Sequence, residues 1–465
     1  MRFFSTLLIL IGFSAVLYGQ NTLITGIAPG AEGKTIRLGV YKDLLTFSED
    51  TIVTAVVDPT GNFSLSADPG ETRFIFLEID FHRAEFYIEP GKSYRLKISP
   101  MDYNEGREVN PFIMSQNLQT EIINPGLNEL NIWIEDYNSK YDQFLLDNFN
   151  RLYLQRNRTL VDTFRLSINY LFIGVDIPYF KQYMTYKTAG LEQVSKALNQ
   201  AQLAKKYFVD KPILYQNMEY MAFFNSFFAK YMTATSNVLR KMDLMKVINA
   251  PQPFRNLMKA AAADTILKNE PLRELVLLKG LMEIFYADNH SQDRIIEVVR
   301  EAVTGCATEE NRLVANDLLL RLNRLRPGTQ APAFTLTDRN NNQVALNNLK
   351  GKPVVLCFWT TYCQGCLSEM EMMSSLYKKY NDRAHFVSVS ADRDFVMMKF
   401  FVDQKPDYKW TFLHIGDQWE LLRDYDVRSY PLFVLIDRQG NIYKRYPAPT
   451  PTEGMETLLD ELLTQ

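Results

Sequence analysis

Val354-Val-Leu-Cys-Phe-Trp-Thr-Thr-Tyr-Cys-Gln-Gly-Cys366 is the stretch on which the fold turns. Its first six residues are an unbroken apolar run, the pattern of a strand buried on both faces rather than one alternating between core and solvent. A polar break follows, then two cysteines three positions apart, then helical composition from Glu369 to Tyr380. Further along come a strand at His385–Ser390, an amphipathic stretch at Phe395–Gln404 and a strand at Leu432–Ile436. Asp437-Arg-Gln-Gly440 turns the chain into Asn441–Arg445, and Met455–Leu463 closes as a helix. Upstream, Phe334–Thr337 and Val344–Leu346 flank an Asn-rich turn and predict a hairpin. Strand, helix, strand, helix, antiparallel hairpin and final helix make a mixed α/β sheet with right-handed crossovers.

Two other textures precede this one. Between about Asn21 and Ser99, Thr35–Tyr41, Ile52–Val57 and Arg73–Ile79 are rich in β-branched and aromatic residues. Asp58-Pro-Thr-Gly61 and Glu89-Pro-Gly-Lys92 supply reversals between them, so a small antiparallel β-sandwich is expected. From Pro111 to Arg326 the period becomes helical. Leu127, Leu130, Ile134, Tyr137, Tyr141 and Phe144 recur at three and four residues, and prolines from Pro125 to Pro327 leave helix-sized intervals. Tyr215–Met232 is dense in aromatics and reads as a buried bundle face. The expected architecture is therefore multidomain α+β: a β-sandwich at 20–110, an all-α region at 111–326 and an α/β domain at 327–465, after a leader at 1–19.

Length and composition agree. A chain of 465 residues holds about three domains at ~150 residues each. Lys and Arg number 51 against 54 Asp and Glu, a formal charge of −3, so there is no bulk electrostatic case for nucleic acid. Four cysteines are too few for a disulfide-stapled scaffold. Arg2 followed by an apolar run from Phe3 to Leu17 and a small residue at Gly19 reads as a secretory signal rather than an anchor, which would need ~20 apolar residues. The mature chain is expected without a transmembrane segment in the periplasm or cell envelope, a disulfide-permissive compartment.

The paired cysteines carry the chemistry. At i and i+3 on a first helical turn they come within disulfide reach. Cys363, at the helix start, faces unpaired N–H groups and the positive end of the helix dipole, which favour the thiolate nucleophile. The expected cycle is attack by Cys363 on a substrate disulfide, a mixed disulfide, and resolution by Cys366. Glu369 lies one turn beyond Cys366. It either shuttles the proton that Cys366 loses or simply complements the dipole. Cys306 and Cys357 read as buried structural thiols.

Residues 327–465 resemble the TlpA/ResA-like branch of exported thioredoxin-fold thiol–disulfide oxidoreductases. The resemblance rests on Pro327-Gly328-x-x-Ala331-Pro332-x-Phe334, Phe358-Trp359-x-x-Tyr362-Cys363-x-x-Cys366, Glu369, and Tyr430-Pro431 before a strand ending Leu435-Ile436-Asp437. It implies that Pro431 is the cis-proline of the fold and that Glu369 serves catalysis. It also implies that Tyr430, Pro431, Trp359 and Tyr362 meet the substrate. The partners it implies are thiol or disulfide protein clients and a membrane electron donor of DsbD/CcdA type, with no metal or cofactor, and it leans towards disulfide reduction. One departure stands out: Cys357 occupies the position where thioredoxin has a buried Asp, so no carboxylate at that position deprotonates Cys366. The N-terminal strands resemble the β-rich module of unknown function, DUF4369-like, that precedes thioredoxin domains in exported Bacteroidetes-type proteins.

Two other functions compete. A peroxiredoxin-like peroxidase would use Thr360, three before Cys363, but Leu356 stands where its proline belongs. A non-catalytic envelope binding or scaffold protein could merely tolerate the dithiol. Zinc would need two further ligands, and attached haem c is excluded because Leu367, not His, follows Cys366.

Overall fold

A computed structural model describes residues 21–80, 82–103, 116–126, 128–196, 198–285, 291–444 and 447–464. The leader lies outside the described residues. Nine strands come first: β1 (Thr22–Ile27), β2 (Thr35–Tyr41), β3 (Glu49–Val56), β4 (Asn62–Ala67), β5 (Arg73–Ile79), β6 (His82–Ile88), β7 (Ser93–Ile98), β8 (Gln116–Asn117) and β9 (Thr120–Ile122). They form two sheets, ordered β4-β1-β7-β9 and β3-β2-β5-β6-β8. Alternation along β4 and β7 turns Phe63, Leu65, Tyr94 and Leu96 inward, where they meet Ile36, Leu38, Ile75 and Leu77 of the other sheet. Two inner faces sharing one core make a sandwich. At the Asp58–Gly61 reversal the Asp58 carboxylate accepts from the N–H groups of Thr60 and Asn62, and Gly61 takes φ 81°.

The sandwich differs from expectation in two ways. It is not wholly antiparallel: β1 runs parallel to β7, and β6 to β8, pairings that long intervening connections permit. Residues 116–122, expected in the helical region, instead form β8 and β9 on the edges of the two sheets. Strands of two and three residues are too short to leave a period-two signal.

Ten helices follow: α1 (Leu130–Tyr153), α2 (Arg158–Leu171), α3 (Pro178–Val194), α4 (Gln200–Tyr207), α5 (Met218–Phe227), α6 (Leu244–Asn249), α7 (Pro253–Ala261), α8 (Glu270–Ile284), α9 (Gln292–Gly305) and α10 (Glu309–Asn323). Pro178 and Pro253 open α3 and α7, where a missing N–H costs nothing. Side chains of Asn217, Asn269, Ser291 and Thr308 cap α5, α8, α9 and α10. The aromatic stretch does face inward: Tyr220, Phe223, Phe224, Phe227, Phe228 and Tyr231 join one core with residues of α8 to α10.

The sandwich grips this core through the loop between β2 and β3. Leu44 and Leu45 are buried among the helical residues. Around them Lys42 Nζ meets Asp317 Oδ1 at 2.7 Å, Arg321 donates to the Thr46 carbonyl at 2.6 Å, and Asn225 donates to the Leu44 carbonyl at 3.1 Å. At the start of α1, the Asn131 side chain accepts from Tyr87 N (2.7 Å) and donates to Tyr87 O (2.9 Å).

The third unit comprises β10 (Thr335–Asp338), β11 (Gln343–Ala345), β12 (Val354–Trp359), α11 (Gln364–Tyr380), β13 (His385–Ser390), α12 (Phe395–Asp403), β14 (Thr411–His414), α13 (Glu420–Asp424), β15 (Leu432–Ile436) and α14 (Met455–Thr464). Its sheet order is β11-β10-β14-β13-β12-β15. Strands β12, β13 and β14 are parallel, and β15 is antiparallel to β12. Every residue of β12 is buried, as its apolar run requires. Helices α11, α12 and α14 cover one face, meeting Val355, Cys357 and Trp359. Leu421 and Leu422 of α13 pack on the other, against Val354, Leu356 and Phe358. The strand expected at Asn441–Arg445 is reduced to bridges at Asn441, Ile442 and Ala448, and Arg445 is outside the described residues. Arg324 and Leu325 join this unit to the helices: Arg324 Nε donates to the Asp424 carbonyl at 3.1 Å, and Leu325 enters the core beneath the sheet.

Leu44 lies in a loop of the sandwich yet fills the helical core. Leu44→Ala is therefore expected to destabilise the chain by about 2–5 kcal/mol, as buried leucine truncations do. Equilibrium denaturation checks this; a change no larger than that of an exposed substitution contradicts the packing.

Candidate active site

The site sits where β12 ends and α11 begins. Thr360 to Tyr362 leave the strand, and Cys363, with φ −86° and ψ 103°, is the N-cap of α11. Its sulfur accepts from Cys366 N at 3.1 Å, so it satisfies one of the helix's unpaired N–H groups. A disulfide joins Cys363 to Cys366, their Cα atoms 5.2 Å apart. The two sulfurs live in different surroundings. Cys366 is fully buried against the sheet, whereas Cys363 is only partly covered. Such an arrangement offers one sulfur to a visitor and keeps the other behind it.

Pro431 lies across the disulfide loop. The Tyr430–Pro431 bond is cis, and a Cβ placed on Gly365 would stand 3.9 Å from Pro431 Cδ. A cis-proline thus abuts the first turn of α11, bringing together Gly365 and Pro431, which are far apart in the sequence. Tyr430 is mostly covered; burial pushes its phenol up, and the nearby Tyr362 and Asp392 reinforce the shift.

Exposed apolar side chains lie on the active-site loop and on α12. Tyr362 is 51% exposed, and Val396, Met397 and Phe400 of α12 are 65%, 45% and 67% exposed. Because β12 and β13 are parallel, α11 and α12 both follow the same end of the sheet. Sequence reading had only an amphipathic stretch here. Helical spacing cannot reveal which apolar residues stay uncovered.

Trp359 does not meet the substrate side. It is fully buried, packed on Phe401 and Phe412 at ring-centroid distances of 5.5 and 5.8 Å, and forms the floor below the cysteines. The reason is positional: it is the last residue of a strand with both faces covered. Glu369 is half-buried on α11, and its carboxylate accepts from the hydroxyl and the N–H of Thr452, just before α14. Cys357 is fully buried; burial pushes its thiol up, with Glu369 adding to the effect. Cys306 is likewise buried and free, its thiol pushed up by burial and by Glu274.

A carboxylate that sequence reading did not single out is tied to the active-site loop. Asp392, just beyond β13, is fully buried, and its Oδ1 accepts from both Thr361 N and Thr361 Oγ1 at 2.8 Å. Ser390 Oγ donates to Oδ2 at 2.6 Å. An Asp after an apolar strand usually marks a turn, so only the fold discloses the contact.

A half-exposed disulfide at a helix N-terminus, facing a cis-proline on a mixed sheet, defines a thioredoxin-fold redox protein. Comparison with known proteins agrees. Residues 327–445 match the AhpC/TSA family. Thioredoxin-like protein YneN of Bacillus subtilis is 34% identical over 139 residues, 29% of this chain and 80% of the relative. Thiol-disulfide oxidoreductase ResA of Bacillus thuringiensis subsp. konkukian is 31% identical over 140 residues, 30% of this chain and 80% of the relative. The solved thioredoxin domain of a thiol-disulfide oxidoreductase from Bacteroides vulgatus is 26% identical, covering 30% of this chain and 98% of that one, with a TM-score of 0.28. The chain belongs, through its C-terminal unit, to the ResA-like thioredoxin-fold thiol–disulfide oxidoreductases. It is an oxidoreductase.

Exposure ranks the cysteines. After reduction and alkylation of the native protein, peptide mapping should find Cys363 modified first, with Cys357 and Cys306 modified only after denaturation. Equal rates at Cys357 and Cys363 contradict this geometry.

Proposed function

We propose that the chain is an exported disulfide reductase that acts on envelope polypeptides through a Cys363–Gln–Gly–Cys366 cycle. The observation that carries this reading is the asymmetry of the disulfide: Cys363 is partly exposed at the helix N-terminus, and Cys366 is buried directly behind it. In the reduced pair, Cys363 loses its proton and its thiolate attacks one sulfur of a client disulfide. A Cys363–client bond forms while the client bond breaks, and the departing client sulfur takes up a proton. Cys366, as thiolate, then attacks Cys363; the second client sulfur leaves with a proton, and the pair is oxidised. Two electrons have passed to the client. Renewal requires two electrons from a dithiol donor, for which a membrane protein of DsbD/CcdA type is the expected source.

The helix N-terminus supports Cys363 as the attacking sulfur, since unpaired N–H groups and the dipole favour its thiolate. Pro431 and Tyr430 border the loop where an extended client segment would lie, and Tyr362 adds an exposed aromatic surface. The apolar face of α12 suits a polypeptide client better than a small polar disulfide. Glu369 is the carboxylate one turn beyond Cys366 and is read as its proton acceptor, with Thr452 holding it in place. Export rests on the leader-like Met1–Gly19; among the described residues no helix is long and apolar enough to cross a membrane. The sandwich, which runs through β9, and the helices from α1 to α10 select or position the client. A peroxidase reading finds less support, because Thr360 is fully buried and Leu356 replaces the proline.

A Cys366→Ser variant should accumulate mixed disulfides through Cys363, recovered as client adducts by mass spectrometry, and Cys363→Ser should yield none. The same reading requires a reduction potential near about −270 mV rather than about −120 mV, the range of a dedicated oxidant. An oxidising potential with no adducts overturns it. For Glu369, Glu369→Gln should slow the resolving step on the order of tenfold at neutral pH, a modest loss for a proton acceptor that water partly replaces. Thr452→Ala serves as the control: equal effects of both variants on thermal stability, with no rate loss in either, leave Glu369 a purely structural side chain.

A further inference from the structure

We infer that Asp392 is a positioning residue for the disulfide site and holds the Cys363–Cys366 pair on the reducing side. This rests on the reading of Cys363 as the redox-active sulfur. Asp392 is fully buried at the end of β13, and among the described residues no Lys or Arg pairs with it. Its charge is met by hydrogen bonds alone. Thr361 N and Thr361 Oγ1 reach Oδ1 at 2.8 Å each, and Ser390 Oγ reaches Oδ2 at 2.6 Å. Ser390 Oγ in turn accepts from Asp392 N at 3.1 Å, so its own proton is free to point at the carboxylate. Thr361 N can only donate. Three donors converge on the two Asp392 carboxylate oxygens.

Two consequences follow from that placement. The first is mechanical. Thr361 belongs to the short segment between a fully buried strand and the helix that Cys363 caps. By clamping Thr361 at two atoms, Asp392 ties the end of β13 to the loop that aims Cys363. The second is electrostatic. Thr361 and Cys363 are two residues apart, so their Cα atoms are separated by no more than about 7 Å. A buried negative charge anchored to Thr361, two residues before Cys363, opposes a second negative charge at Cys363, because burial leaves little water to screen it. The helix N-terminus favours a thiolate at Cys363, and the Asp392 charge opposes it. A less stabilised thiolate means a less stabilised reduced form and a stronger reductant. Position 357 holds a thiol, so in this chain the buried anion near the pair reaches it from β13 rather than from β12.

The other polar groups facing Asp392 are few. His414 of β14 contacts the Asp392 carbonyl at 3.0 Å through Nε2, and burial lowers its pKa. Asp394 and Asp417 lie near that imidazole, and Tyr430 approaches from the loop before β15, close enough to feel the Asp392 charge. None of these supplies a cation to the carboxylate side of Asp392.

The test uses the full chain, equilibrated in dithiothreitol or glutathione redox buffers, so no client is needed. Asp392→Asn keeps an acceptor for Thr361 and removes the charge. Cys363 alkylation against pH should show its midpoint moved down. Above that midpoint, the equilibrium constant with the buffer should shift by about fivefold towards the reduced pair, about 20 mV at ~30 mV per decade. Thr361→Val removes one hydrogen bond and leaves the charge, so it should slow exchange without moving the alkylation midpoint. Circular dichroism and cooperative unfolding establish that each variant is folded. A folded Asp392→Asn protein with unchanged midpoint and potential overturns the assignment. If that variant does not fold, Asp392→Ser, which also removes the charge, is measured instead: the same two quantities should move in the same directions, and no change in either overturns the assignment. If the unaltered chain reduces no protein disulfide while the variants still shift the potential, the reductase reading falls and the role of Asp392 stands.

Discussion

The junction between β12 and α11 constrains everything else in the C-terminal unit. A strand covered on both faces has no freedom to tilt or slip, because a shift of one residue would exchange the side chains that fill two separate cores. Its end is therefore fixed in space, and the helix that follows inherits that position within three residues. Cys363 caps this helix with its own sulfur. In the proposed cycle the same atom caps the helix and carries the reactivity, so the capping interaction and the chemistry cannot be separated by substitution at that residue. Opening the disulfide exchanges a sulfur–sulfur bond for a sulfur that still has a helix N–H to accept from, which suits a site that alternates between two states.

Burial then divides the labour among four cysteines. Cys357 and Cys366 both lie in the layer between the sheet and α11, and Cys363 alone reaches the surface. Charge is costly to create in that layer, which is why the Cys357 thiol is pushed up and stays inert. Cys366 shares the layer, and in the proposed cycle it becomes a nucleophile only when a mixed disulfide places an electrophilic sulfur beside it. A buried resolving thiol is protected from solvent oxidants and small disulfides, and it reacts with the one partner already bound.

Much of this was legible in the sequence, and what was not had physical causes. The apolar run Val354–Trp359, His385–Ser390 and Leu432–Ile436 match their strands residue for residue, because strands packed on both faces leave an unmistakable composition. Thr411–His414 escaped notice: four residues with one threonine and one histidine carry too little periodicity to stand out. The same brevity hid β8 and β9. The resemblance implies a substrate contact at Trp359, whereas its position as the last residue of a covered strand, already visible in the apolar run, buries it. Asp392 was passed over because nothing in Ser-Ala-Asp-Arg-Asp tells which carboxylate turns inward. Asp394 caps α12 in the ordinary way, while Asp392, two residues earlier, points back to a loop more than thirty positions upstream. Contacts between distant segments are a property of the packed chain, and local patterns do not encode them.

The remaining two-thirds of the chain bears on the site through its attachments. Sandwich and helices are joined by a buried loop, the Lys42–Asp317 ion pair and an asparagine clamp on Tyr87. The redox unit is held to them by Arg324 on the Asp424 carbonyl and by Leu325, which takes φ 58° as it enters the lower core. Leu325 packs beneath α13, on the sheet face opposite α11 and its disulfide. A tether on that face leaves the edge carrying Tyr362, Cys363 and the exposed side of α12 unobstructed by its own anchor. Any guidance that the helices give a client must then come from reaching around the sheet, or from a partner that bridges both. The fold therefore separates holding from reacting: the anchor and the sulfurs use opposite faces of one sheet, and only the rigid strand between them relates the two.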